Sequence, residues 1–154
     1  MNIFVLHTNP TICAKWHVDR HIVKMPLESA QMLCTALNIN GVKSPYKSAH
    51  INHPCSIWVR QSFDNYMWLC TLAKELCKEY TFRYGKIHAC QSVIDYAIEN
   101  VPDIPKIGLT PFAIAMDDVY KLENPILSYQ NYYIKGKAHL HSWKKREKPS
   151  FINN

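Results

Sequence analysis

Five polar side chains, His17, His21, Lys24, Glu28 and Gln31, follow one another at steps of four and three residues. At about 100° per residue a helix gathers them within an arc of roughly 80°. One flank of that stripe holds Val18, Ile22, Met25, Ser29, Met32 and Ala36, and the other holds Trp16, Val23, Leu27, Ala30 and Cys34. A helix apolar on almost every side belongs at the centre of a domain. Two imidazoles, an ammonium and a carboxylate buried there are costly unless paired or hydrated. The pattern therefore predicts a central helix whose polar line forms the floor of a groove.

The chain has 154 residues, the size of one domain that buries roughly two-thirds of its unfolded surface. No apolar run approaches the roughly 20 residues of a membrane span, and no basic stretch followed by an apolar one marks a signal peptide. The expected setting is the cytoplasm. Cys13, Cys34, Cys55, Cys70, Cys77 and Cys90 are widely spaced without a CxxC and fall mostly on apolar helical faces. They read as reduced core residues, with no metal and no cofactor implied.

Cap signals divide the chain. After a short extended Met1 to Leu6, Asn9 and Pro10 open a helical pattern that runs to about Leu37, with Pro26 expected to kink or split it. A loop follows from Asn38 to Ser48. Asn52, His53 and Pro54 restart a helix predicted to run unbroken to Gly85, and a further helix fits Ile87 to Ile98. Val101 to Leu109 reads as a proline-rich linker, Thr110 and Pro111 as the start of a short helix to about Leu122, and Asn124 and Pro125 as the start of a last one to about His139. Strand-like runs are scarce. The predicted architecture is all-α: one compact helical bundle over residues 1–154 with a short extended N-terminus and a basic, aromatic C-terminal end at about 135–154.

That C-terminal end carries most of the charge. Lys135, Lys137, Lys144, Lys145, Arg146 and Lys148 stand against Glu147 alone, a balance of +5 out of the chain's net +6. Interleaved with Trp143 and Phe151, the cluster suits phosphate contact with base stacking, or simply a solvated tail. Arg60 on the second long helix, and Arg83 and Lys86 among Tyr80, Phe82 and Tyr84 at its end, repeat the same basic and aromatic mixture. A snorkelling helix end has that look as well.

The stripe admits several chemistries. A metal on His17, His21 and His53 is one, although no HExxH is present and Lys24 sits between His21 and Glu28. Serine hydrolysis lacks a GxSxG, and Ser29 and Cys34 lie off the stripe. Acid–base work remains, with Glu28 as base or as stabiliser of a cationic transition state and His21 and Lys24 orienting it. Cleavage of a glycosidic bond, or a reaction through an amine, suits that set. Ordinary packing of a helix histidine and an i, i+4 surface pair of Lys24 and Glu28 is the competing reading.

Asp19-Arg20-His21-Ile22-Val23, with Glu28 seven residues after His21, resembles the Asp-x-His segment that precedes the catalytic glutamate in pyrimidine-dimer DNA glycosylases of the phage endonuclease V type. The layout of residues 1 to about 85 is similar, and the His17 to Gln31 string also resembles small phage proteins. The resemblance implies an all-helical DNA-repair enzyme, phage-encoded and acting in the host cytoplasm. Such an enzyme distorts double-stranded DNA at a damaged or modified base, attacks the sugar C1′ with its N-terminal α-amine, and cleaves the strand through an imine. Carried over, Glu28 is the catalytic carboxylate and His21 its neighbour. Bulky Asn2 is expected to keep Met1 in place, so the nucleophile becomes the Met1 amine, one residue farther out, or is absent. Where the family has arginines beside and three residues after its glutamate, this chain has Leu27 and Gln31. Nucleic-acid contact then falls to His17, Lys24, Gln31, His53, Arg60, Arg83, Lys86, Trp143, Lys144, Lys145 and Arg146. A non-catalytic nucleic-acid-binding protein, and a metal-dependent nucleotide or modified-base enzyme, are the alternatives.

Overall fold

The computed structural model describes residues 1–152. Local chemistry starts most of its helices. Asn9 Oδ1 accepts the amides of Thr11 and Ile12 ahead of α1 (Pro10–Trp16). His53 Nδ1 accepts the Cys55 amide ahead of α3 (Pro54–Gln61), Ser62 Oγ accepts the Asn65 amide ahead of α4 (Phe63–Tyr84), and Asn124 Oδ1 accepts the Leu127 amide ahead of α6 (Pro125–Gly136). Each side-chain acceptor satisfies an amide that the first turn leaves without a partner. Gly85 ends α4 in the left-handed region at φ 68°, where a Cβ is penalised.

Between them lie α2 (Asp19–Ile39) and α5 (Gln91–Glu99), with single 3₁₀ turns at Asp118–Tyr120 and Ala138–Leu140. The central element is α2, which packs against α3, α4 and α5 while α1 lies along α4. Ile22, Met32, Leu33, Ala36 and Leu37 of α2 meet Leu69, Leu72, Ala73 and Leu76 of α4 in the core. The extended N-terminus is buried from Ile3 to Leu6 and joins that core. No strand occurs among the described residues, and the molecule is a compact all-α bundle as expected. Among the described residues no helix is long and apolar enough to cross a membrane.

Several boundaries differ from the sequence expectation. The first helical pattern breaks at His17 and Val18, both extended, and α2 runs continuously through Pro26. Proline inside a helix costs about 3 kcal/mol, and the burial of α2 on three sides outweighs it. Arg83 explains the break upstream: its guanidinium donates to the carbonyls of Lys15 at 2.9 Å and His17 at 2.8 Å, which α1 leaves exposed by ending there. The long second helix is divided at Ser62, whose hydroxyl donates to Gly108 O at 2.7 Å while Phe63 N donates to Pro105 O at 2.8 Å.

The segment from Val101 to Met116 is an extended strap, without the short helix expected after Thr110. Side chains satisfy its backbone. Asn65 accepts Thr110 N, Trp58 Nε1 donates to Thr110 O, Tyr129 Oη accepts Ala115 N, and Asn2 Nδ2 donates to Ala115 O. The six cysteines are all free and buried. Burial pushes the thiols of Cys13, Cys70 and Cys77 up to about 12, which makes them inert core residues.

Candidate functional site

The stripe on α2 meets the N-terminus and α6 around a pocket of about 150 Å³. Its floor is Glu28, whose Oε1 accepts the Asn2 amide at 2.8 Å and stands 3.3 Å from the Met1 α-nitrogen. Among the described residues Oε2 has only Lys24 Nζ, at 3.6 Å. Met25 and Phe4 supply apolar wall, and Tyr132 and Lys137 of the α6 end close the rim, with Lys137 Nζ 5.1 Å above the Tyr132 ring. Three basic nitrogens therefore surround one carboxylate. An anionic ligand is favoured in such a field.

Asn2 fixes this arrangement. Its side chain accepts from the Tyr129 hydroxyl at 2.8 Å and donates to Ala115 O at 2.8 Å, while its backbone amide is spent on Glu28. The amine that precedes it is thereby held against the carboxylate. Gly136 shapes the opposite wall, because a Cβ there would come within 2.6 Å of the Tyr132 ring and 2.9 Å of Tyr120.

His21 lines the same pocket with Phe4 stacked on it, ring centroids 4.2 Å apart. Its Nδ1 lies 2.6 Å from the Tyr133 hydroxyl. Burial, then the nearby His17, Lys137 and Lys24, push its pKa down to about 2, so the ring is neutral at physiological pH. It cannot serve as a cationic acid.

The structure divides the remaining sequence candidates. His17 is not on the groove: it caps the end of α1, is fully buried, and has Nδ1 2.7 Å from Cys13 O. Burial pushes it down to about 4, and a nucleic acid has no access to it. Arg83 is sealed as well, spent on Glu79, Asp19 and two carbonyls. Arg146 pairs with Glu79 and stacks on Phe82, and Trp143 Nε1 donates to Trp16 O at 2.9 Å. Arg146 and Trp143, both half-buried, hold the C-terminal end onto α4 and the α1–α2 junction, and Arg83 is out of reach of a nucleic acid.

Lys144 lies over Tyr84 and Lys145 over Phe82, both exposed. Lys86 is exposed just past α4, and Arg60 donates to Ser56 Oγ at 3.3 Å. His53, the cap of α3, is pushed down by burial and then by the N-terminal charge. Gln31 is half-buried on α2 and is not among the residues that line the pocket.

A metal on His17, His21 and His53 finds no support in this geometry. Two of the rings use Nδ1 on protein partners and the third caps a helix. No group of three His, Cys, Asp or Glu side chains among the described residues is placed to hold an ion. Asn2, Tyr129, Tyr132, Tyr133 and Lys137 were not singled out as site residues by the sequence reasoning. The run Tyr129, Tyr132, Tyr133 at helical spacing was the available signal that α6 turns one aromatic face inward. Comparison of the chain with protein-family models, with curated proteins and with solved structures finds no match in any of the three.

Proposed function

We propose that this protein is a DNA glycosylase/AP-lyase-like enzyme acting on damaged or modified pyrimidines in double-stranded DNA, with the Met1 amine as nucleophile. The observation that carries the reading is the α-nitrogen 3.3 Å from Glu28, at the floor of an open pocket ringed by Lys24 and Lys137. The terminus is enclosed directly against Glu28, whereas the Lys24 ammonium is mostly exposed, which favours the terminus over Lys24 as the attacking group.

On this reading the amine adds to the sugar C1′ as the bond to the base breaks. Glu28 takes the proton that the nitrogen must lose and returns it to the ring oxygen as the sugar opens, and the base leaves as an anion that takes its proton from water. The sugar ring then opens to an imine. Removal of a C2′ proton from that imine expels the 3′ phosphate and cuts the strand. Lys24 and Lys137 stand where they neutralise a phosphate. The chemistry needs no metal or cofactor.

The test is reductive trapping. Protein of verified N-terminal mass is incubated with ultraviolet-irradiated or abasic duplex under borohydride. A covalent adduct mapping to Met1, lost on N-terminal acetylation and reduced by at least about a hundredfold in Glu28→Gln, is expected. Absence of an adduct with either duplex overturns the proposal. Salt-dependent binding that survives Glu28→Gln without any adduct would point to a non-catalytic nucleic-acid-binding protein in its place.

A further inference from the structure

Inside the pocket wall, one hydrogen bond decides what His21 can offer. Tyr133 is fully buried. Its hydroxyl oxygen already accepts the Val18 amide at 3.3 Å and lies 2.6 Å from His21 Nδ1. A tyrosine hydroxyl has one proton to donate. Among the described residues His21 Nδ1 is the acceptor within its reach. Were Nδ1 protonated instead, the oxygen would accept twice and the hydroxyl hydrogen would be orphaned in a dry interior, an arrangement that folded proteins avoid.

We propose that Tyr133 is a positioning residue that locks His21 as the Nε2–H tautomer, so that the imidazole presents a fixed, neutral N–H donor to an oxygen of the bound substrate and does not act as a base. Three further observations bear on the lock. Phe4 stacks on the ring at an interplanar angle of 19° and fixes its plane. His17 Nε2 is the one sealed side-chain atom without a partner among the described residues, so His21 Nε2, which likewise lacks a protein partner, is open to the pocket that its ring lines. The charged groups around the ring are Lys24, Lys137 and the Met1 nitrogen against Glu28, with His17 behind it. That predominantly basic company opposes a second proton on the ring.

The chemical use of the lock rests on the glycosylase reading. A neutral donor aimed into a small pocket stabilises an oxygen that gains negative charge as a bond breaks, such as the carbonyl of a departing pyrimidine. The hydrogen bond strengthens without transfer of the proton, so no atom or charge is left unbalanced.

Nitrogen-15 NMR of histidine-labelled protein tests the lock without requiring activity. Wild type is expected to show His21 as a neutral Nε2–H ring that does not titrate between pH 7.5 and about 5. Tyr133→Phe, folded by its amide spectrum, is expected to show mixed tautomers and a titration that enters that range. It should also slow borohydride trapping by at least about tenfold, with Tyr133→Phe combined with His21→Gln no slower than His21→Gln alone. A wild-type Nδ1–H signature, or an unchanged ring in Tyr133→Phe, overturns the proposal. If Tyr133→Phe does not fold, the wild-type tautomer decides by itself. Correct tautomer without any DNA adduct would sink the glycosylase reading and leave the lock standing, whereas an adduct with the wrong tautomer would do the reverse.

Discussion

Two carboxylates nine residues apart on α2, Asp19 and Glu28, meet opposite fates. Asp19 is saturated: Oδ1 accepts from Arg83 at 3.0 Å and from Lys144 N at 2.8 Å, and Oδ2 accepts the Ser142 hydroxyl at 2.7 Å. Its partner Arg83 also donates to Glu79 and to two carbonyls, and Glu79 is closed by Arg146. Glu28 instead keeps Oε2 with nothing but a mostly exposed Lys24 at 3.6 Å, beside an open pocket. Charge whose bonding capacity is used up holds a fold together, and charge left with spare capacity at an opening is available to a ligand. The difference separates structure from site more cleanly than burial alone, since both carboxylates are largely enclosed.

The largest effect that can break this comparison comes from the saturated end. Arg83→Ala removes the partner of Asp19, Glu79 and two backbone carbonyls at once, and should cost about 3–5 kcal/mol. Urea unfolding measures it, and a loss below about 1 kcal/mol would mean that the network is not structural. Glu28→Gln is the matched substitution at the open end. It should cost roughly 1–3 kcal/mol of stability, because the enclosed Met1 amine loses its counter-charge and Lys24 is solvated, while abolishing most reductive trapping. Similar stability losses for the two variants would erase the contrast.

Acid sharpens it from a different side. His17 and His21 titrate near 4 and 2 in the fold, both lowered first by burial, against an ordinary value of 6.5. Below pH 6.5 the unfolded chain therefore binds more protons than the native one, and stability falls as pH falls. The loss should amount to roughly 2–4 kcal/mol between pH 7 and 5, seen as a drop in the urea midpoint. It should be smaller in a His17→Gln variant. A midpoint that rises on acidification would contradict the buried neutral state of both rings.

The smallest effects concern exposed lysines. If the pocket meets a phosphate, Lys24→Ala and Lys137→Ala should each lower the salt dependence of DNA binding by about one counterion. Lys144→Ala and Lys145→Ala, which face aromatic rings on α4, should change stability by about 0.5 kcal/mol or less. Filter-binding titrations at several salt concentrations separate the two pairs. Equal slopes for all four variants would deny the pocket any special role.

Legibility in the sequence followed the range of the interaction. Helix starts at Asn9, His53 and Asn124 were readable because the cap bonds reach two or three residues along the chain. The break at His17 was not, since it is stabilised by Arg83, more than sixty residues away. Pro26 misled for the complementary reason: its local penalty was plain, and the packing that overrides it is tertiary. Within the stripe, His21, Lys24 and Glu28 do share a pocket, while His17 left the helix with the break and Gln31 lies off the lining. The strap over 101–116 was missed because its hydrogen bonds come from Asn2, Trp58, Asn65 and Tyr129, a set that no local pattern announces.

The anchoring of Asn2 makes the molecule sensitive to how its first residue is processed. With the Asn2 side chain and amide both committed, a retained formyl group, an acetyl cap or an added leader on Met1 would start beside Glu28 at the pocket. An addition there would enter the pocket that Met1 lines and remove the free amine beside Glu28. If the Met1 amine is the nucleophile proposed above, protein carrying an affinity sequence at that end is expected to form no trapped adduct.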